Sequence, residues 1–100
     1  MVNSENFQSE VLESPMPVIV FFHASWCGAC SSLKPTVDEL VFDLVGKAKV
    51  VKLSVDDSKD IARKYRVMSI PTLLLIKNGV EEKRIVGVHP KSEIISEFGF

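Results

Sequence analysis

Residues 18–30 read Val18-Ile19-Val20-Phe21-Phe22-His23-Ala24-Ser25-Trp26-Cys27-Gly28-Ala29-Cys30, and the fold turns on how this stretch divides. Val18–Phe22 is short, apolar throughout, and rich in β-branched and aromatic side chains. Those features suit a central strand buried on both faces. Ser14-Pro15-Met16-Pro17 precedes it and stops any helix upstream, because proline lacks the N–H and restricts the residue before it. Beyond Cys30, Leu33, Val37, Leu40, Val41 and Leu44 recur at helical spacing through about residue 45, and Gly46 ends the run. Both cysteines therefore fall at a strand-to-helix junction.

Working outward, Val50–Val55 is the next strand, so strand, helix and strand form a βαβ unit with parallel strands and a right-handed crossover. Upstream, Asn3 or Ser4 caps a short helix over roughly 5–13, with Phe7 and Val11 on its buried face. Downstream, Asp57 or Ser58 caps a helix over about 59–65 that carries Ile61, Ala62 and Tyr65 inward. Thr72–Lys77 and about Val80–Val88 flank Asn78-Gly79, the strongest short hairpin signal. Ser92–Phe98 closes the chain as a helix with Ile94, Ile95 and Phe98 on its apolar side. The expected fold class is α/β, with a mixed sheet covered by helices.

One hundred residues make one expected domain, 1–100. The apolar fraction is 46% and the net charge −1, with acidic and basic residues interleaved, which gives no footprint for nucleic acid. The longest apolar runs fall far short of the ~20 residues of a membrane span. Met1–Glu10 has neither a basic start nor an apolar stretch, so it does not read as a secretory signal, and the expected compartment is a reducing cytoplasm. Two cysteines there are not expected to form a structural staple.

At the start of a helix a sulfur meets unpaired backbone N–H groups and the positive end of the helix dipole, and both favour the thiolate. Chain order makes Cys27 the nucleophile, with Cys30 one turn deeper. Residues i and i+3 of a helix hold their Cβ atoms about 5–6 Å apart, close to the ~4 Å of a relaxed disulfide, so the pair can close with a small adjustment. The loop it closes is very short and removes little chain entropy, which suits a redox couple. Gly28 has no side chain and lets a partner's backbone approach. A zinc site is the rival reading, but it needs four ligands, and His23 and His89 lack the spacing to complete one. No metal is expected. His23 reads either as a modulator of a nearby thiolate or as a strand-end histidine half in solvent. Trp26 reads as a contact surface for partners, as a ring shielding the sulfurs, or as both.

Residues 18–30 together resemble thioredoxin, and the resemblance runs over nearly the whole chain. Pro35 matches the proline of the family's active-site helix, Ile70-Pro71-Thr72 its cis-proline segment, and Lys77-Asn78-Gly79 and Gly87 further family positions. The resemblance implies a thioredoxin fold of four or five strands with helices on both faces. It also implies a cis Pro71 and a substrate groove lined by Trp26, Gly28, Ala29, Ile70, Pro71 and Gly87, where the Ile70 backbone pairs with an extended partner segment. Two positions depart from the family. Ala29 replaces the usual proline, which fixes φ in the first helical turn, and the expected result is a more oxidising couple. Phe21 replaces the aspartate usually buried behind the second cysteine, leaving Cys30 in apolar surroundings that disfavour its thiolate. Lys52 matches the lysine beside that aspartate and reads as an aid to Cys30 or as a side chain reaching for water.

The expected function is reduction of protein disulfides. Cys27 attacks and forms a mixed disulfide, and Cys30 resolves it. The implied partners are disulfide-containing proteins and a thioredoxin reductase as electron donor. The chain is expected to act as a monomer without a bound cofactor. Two other readings stay open: a binding or assembly module with an incidental dithiol, and a net oxidase or isomerase in an oxidising compartment.

Overall fold

The computed structural model describes residues 1–100. Strand β1 (Val18–His23) leads into helix α1 (Gly28–Asp43), then β2 (Lys49–Ser54), α2 (Lys59–Lys64), β3 (Thr72–Lys77), β4 (Val80–Val86) and α3 (Lys91–Glu97). The four strands form one sheet in the order β2-β1-β3-β4. β1 runs parallel to β2, with Val18 opposite Lys49 and His23 opposite Ser54, and antiparallel to β3, with Val18 opposite Ile76 and Phe22 opposite Thr72. A single parallel bridge, Val2 to Leu53, extends the sheet beyond β2.

β1 is central because its apolar side chains serve both sides of the sheet. Ile19 and Phe21 join Leu33, Val37 and Leu40 of α1 and Ile94 of α3 on one face. Val18, Val20 and Phe22 join Phe7, Val11 and Ile61 on the other. Burying each large aliphatic or aromatic side chain stabilises the fold by about 1.5–3 kcal/mol. A continuous apolar strand is thus what a sheet covered on both faces requires.

The first helical segment is shorter than the sequence suggests. It is a π-helical stretch, Gln8–Leu12, with the Glu13 N–H bonded to the Gln8 carbonyl at 2.9 Å. Its N-cap is Phe7, without a side-chain cap bond; Asn3 instead closes the turn before it, its Oδ1 accepting from the N–H groups of Glu5 and Asn6 at 2.9 and 3.1 Å. Phe7 and Val11 are buried as expected. Val41 is not. It lies 44% exposed on the outer side of α1, because Leu33, Val37, Leu40 and Leu44 already fill the stripe facing the sheet.

Ser58 occupies the N-cap of α2 without a side-chain cap bond. At the hairpin, Asn78 (φ 51°) and Gly79 (φ 79°) both take positive φ, as a tight two-residue turn demands. β4 ends at Val86, two residues before the sequence suggests, because Gly87 turns to φ 93° and donates its N–H to the Pro71 carbonyl at 2.9 Å. The turn from α1 to β2 passes through Gly46 at φ 83°, with open space around it. No helix is long and apolar enough to cross a membrane.

Candidate functional site

The parallel crossover carries the chain off the end of β1 and straight into α1, so residues 24–30 sit at the carboxyl end of the central strand, where open α/β sheets place their sites. Cys27 is the N-cap of α1, and its Sγ accepts the Cys30 N–H at 3.2 Å. A group that accepts from the first helical turn is stabilised when negative. The Cys27–Cys30 disulfide joins residues whose Cα atoms are 5.3 Å apart. Cys27 is 8% exposed and Cys30 3%. The deeper position of Cys30 is as expected, but Cys27 is far from openly exposed.

The loop before β3 provides the other wall. The Ile70–Pro71 peptide is cis, as the family resemblance implies, and the Ile70 carbonyl oxygen lies 3.8 Å from Cys27 Sγ. Pro71 in turn receives the Gly87 N–H, which ties the end of β4 to the same wall. Gly28 and Ala29 are exposed on the first turn of α1, and a Cβ added to Gly28 would meet nothing within 4 Å. Trp26 is 70% exposed, so it is no core ring over the sulfurs. Its Nε1 donates to Asp56 Oδ2 at 2.7 Å.

Behind Cys30 lies a separate cleft of about 320 Å³, lined among others by Phe21, His23, Cys30, Lys34 and Lys52. Phe21 is 2% exposed and packs in the same core as Cys30. His23 stacks on it, with ring centroids 5.1 Å apart and planes 27° from parallel. Lys52 Nζ donates to Asp38 Oδ1 at 2.6 Å, which holds the Asp38 carboxyl below its usual range. Burial first, and then the positive charge of Lys52, lowers the His23 pKa; Asp57 opposes this, and Lys34 adds the smallest lowering.

The structure thus brings Cys27, Ile70, Pro71 and Gly87 to one side of the disulfide, and His23 and Lys52 with Cys30 to the other. Sequence reasoning missed Asp56, which fixes Trp26 from 30 residues away, and Met68, 90% exposed two residues before Ile70. No local pattern marks the first. An apolar residue inside Arg66-Val67-Met68-Ser69, a stretch with no helix or strand periodicity, was the available sign of the second.

A vicinal dithiol capping a helix at the end of a central strand, with a cis-proline loop against it, defines a thiol–disulfide exchange site. Comparison with known proteins agrees. The thioredoxin family model matches residues 1–98. The chain is 43% identical over 94 residues to a thioredoxin of Rickettsia bellii, covering 94% of this chain and 90% of that one. It is 47% identical over 90 residues to a thioredoxin of Chlorobaculum thiosulfatiphilum, covering 90% and 83%. To an M-type chloroplastic thioredoxin of Spinacia oleracea it is 44% identical over 93 residues, covering 93% of this chain and 51% of that one. This chain belongs to the thioredoxin family. It is a thiol–disulfide oxidoreductase that reduces protein disulfides by dithiol–disulfide exchange through Cys27 and Cys30.

Proposed function

We propose that Cys27 is the attacking sulfur and Cys30 the resolving one, in a single domain spanning residues 1–100. The observation that carries this assignment is the Cys27 cap: its Sγ, and not that of Cys30, accepts the first-turn N–H of α1. A thiolate there is favoured by the helix terminus, and the thiolate is the nucleophile. Cys30, deeper in the apolar core, is held as a thiol until the mixed disulfide forms.

Trp26, Gly28, Ala29, Ile70, Pro71 and Gly87 form the surface that receives the partner. The Ile70 carbonyl beside Cys27 offers main-chain pairing to an extended segment, a one-residue form of strand addition. Met68 extends this surface with a flexible apolar side chain. Such a surface reads backbone shape more than side-chain identity and serves many disulfide-containing proteins.

The electron donor is a thioredoxin reductase, and the chain works as a monomer in a reducing cytoplasm. Reduction of insulin disulfides by the native chain and by Cys27→Ser tests the reading, with activity expected only in the former. In cell extract, Cys30→Ser is expected to accumulate mixed disulfides through Cys27. Retention of the same partners with both cysteines replaced would instead mark a binding module.

A further inference from the structure

His23 presents an unusual combination. Its ring stacks on Phe21, which accounts for where the ring lies, yet its Nε2 is buried without a hydrogen-bond partner. A buried, unpaired polar atom is costly and calls for an explanation. Nε2 belongs to a side chain on the wall of the cleft that Cys30 also lines. The cleft is far larger than the one-probe volume a water needs, and it is polar enough to hold one.

The other groups on this cleft do not serve as proton acceptors. Phe21 has no acceptor atom, although it occupies the position behind Cys30 where a base would be most direct. Lys52, from β2, is a cationic donor engaged by Asp38 of α1. Lys34, also from α1, is a second cation, the hydroxyls of Ser25 and Ser31 are too weakly basic to take a thiol proton, and Asp57, beyond β2, does not line the cleft. His23 is the lining side chain that carries a basic nitrogen with no hydrogen-bond partner.

We propose that His23 is the proton acceptor for Cys30 during resolution of the mixed disulfide. This rests on the roles assigned above to the two cysteines. In the mixed disulfide, Cys27 Sγ is bonded to the partner's sulfur and Cys30 carries S–H. The Cys30 proton passes across the cleft to His23 Nε2, with the other ring proton on Nδ1. The Cys30 thiolate attacks Cys27 Sγ. The Cys27–Cys30 bond forms as the bond from Cys27 to the partner breaks, and the electron pair leaves on the partner's sulfur. The dithiol has lost two electrons and the partner has gained two. The imidazolium then releases its proton to solvent through the open side of the cleft. Burial and the flanking lysines lower the His23 pKa, which keeps the ring neutral, and so able to accept, at neutral pH.

Stopped-flow reaction of the reduced protein with 5,5′-dithiobis(2-nitrobenzoate) separates the two steps. Attack by Cys27 releases one coloured thiolate in a reagent-dependent phase, and resolution by Cys30 releases a second in a reagent-independent phase. In the native chain the second phase should fall on acidification, at a pH below the ordinary histidine value of ~6.5, because the His23 pKa is lowered in the fold. In His23→Gln the first phase should be unchanged. The second should slow by about 10- to 100-fold at pH 7, the lower range for general-base catalysis, and lose that acid limb. His23→Ala should recover its second phase with added imidazole. A second phase in His23→Gln that is unaffected, or slowed with the native pH profile, would overturn the proposal. So would a native profile without the acid limb, or no rescue by imidazole. Absence of the first phase in the native chain would overturn the cysteine assignment itself, and is distinguished by the step at which it appears.

Discussion

Cys27 and Cys30 lie 5.3 Å apart at Cα, yet they face surroundings of different composition. Around Cys27 the chain offers backbone: the first-turn N–H of α1, the Ile70 carbonyl, and Gly28 without a side chain. Around Cys30 it offers side chains: the Phe21 ring, the His23 imidazole and the Lys52 ammonium. Backbone groups serve a site that must accept many partners, because every partner has a backbone. Side chains serve a site that performs one internal step on one fixed thiol. The asymmetry of the disulfide is therefore an asymmetry in how much chemistry the sequence is free to vary.

The strongest way to break this comparison is to exchange the sulfurs' roles. Cys27→Ser is expected to remove insulin reduction entirely, while Cys30→Ser retains a single attack and stalls as the mixed disulfide. Equal trapping through either sulfur would erase the distinction. Phe21→Asp comes next. A charge placed at a site 2% exposed should cost about 3 kcal/mol or more in urea unfolding, by loss of a core aromatic and burial of a carboxylate. It should also raise turnover near pH 7 by adding an acceptor behind Cys30, and unchanged turnover would mean that the existing proton path already suffices.

On the Cys27 side, Gly87→Ala should cost about 1–2 kcal/mol, because φ 93° is unfavourable for any residue with a Cβ. The nearest atom to that Cβ, His89 Nε2 at 3.9 Å, is in ordinary contact, so a larger loss in denaturant titration would mean that strain is not the cause. Ala29→Pro, which sacrifices no needed N–H in the first turn of α1, should make the couple more reducing by about 30 mV, or ~1.4 kcal/mol, on equilibration with glutathione. An equal or higher potential would detach position 29 from the redox balance.

The smallest effect is a pH dependence of stability. The His23 pKa is lowered on folding, so the unfolded chain binds more protons near pH 6. Its contribution to stability is present above ~6.5 and is lost as pH falls through the lower folded-state value. Thermal unfolding of the native chain should lose more on acidification from pH 7 to 5 than that of His23→Gln.

Where a feature depends on residues near in sequence, it was legible. The apolar run of β1, the Asn78-Gly79 turn and the cysteines at the head of α1 are all decided within a few positions. Pro71 and Gly87 entered by resemblance alone, since nothing local to either announces that the Gly87 N–H meets the Pro71 carbonyl. The early end of β4 follows from that same long-range bond. Val41 shows the limit of periodicity: Leu40 and Val41 both fit the helical spacing, and only the packed structure says that Leu40 is buried while Val41 lies outside. The cleft behind Cys30 draws on β1, α1 and β2 at once, and its emergence from three distant segments left His23 ambiguous in the sequence.

The hairpin tip also bears on where foreign residues could be spliced into this chain. Loop tips are the customary choice for grafting an epitope or a label. Here a Cβ on Gly79 would sit 3.3 Å from the Leu12 carbonyl, so the tip rests against the π-helical segment and an insertion there would prise two elements apart. Gly46 has no neighbour within 4 Å of such a Cβ, and exposed residues stand on both sides of it. The turn leaving α1 is the place where added sequence can loop out into solvent with the rest of the molecule undisturbed.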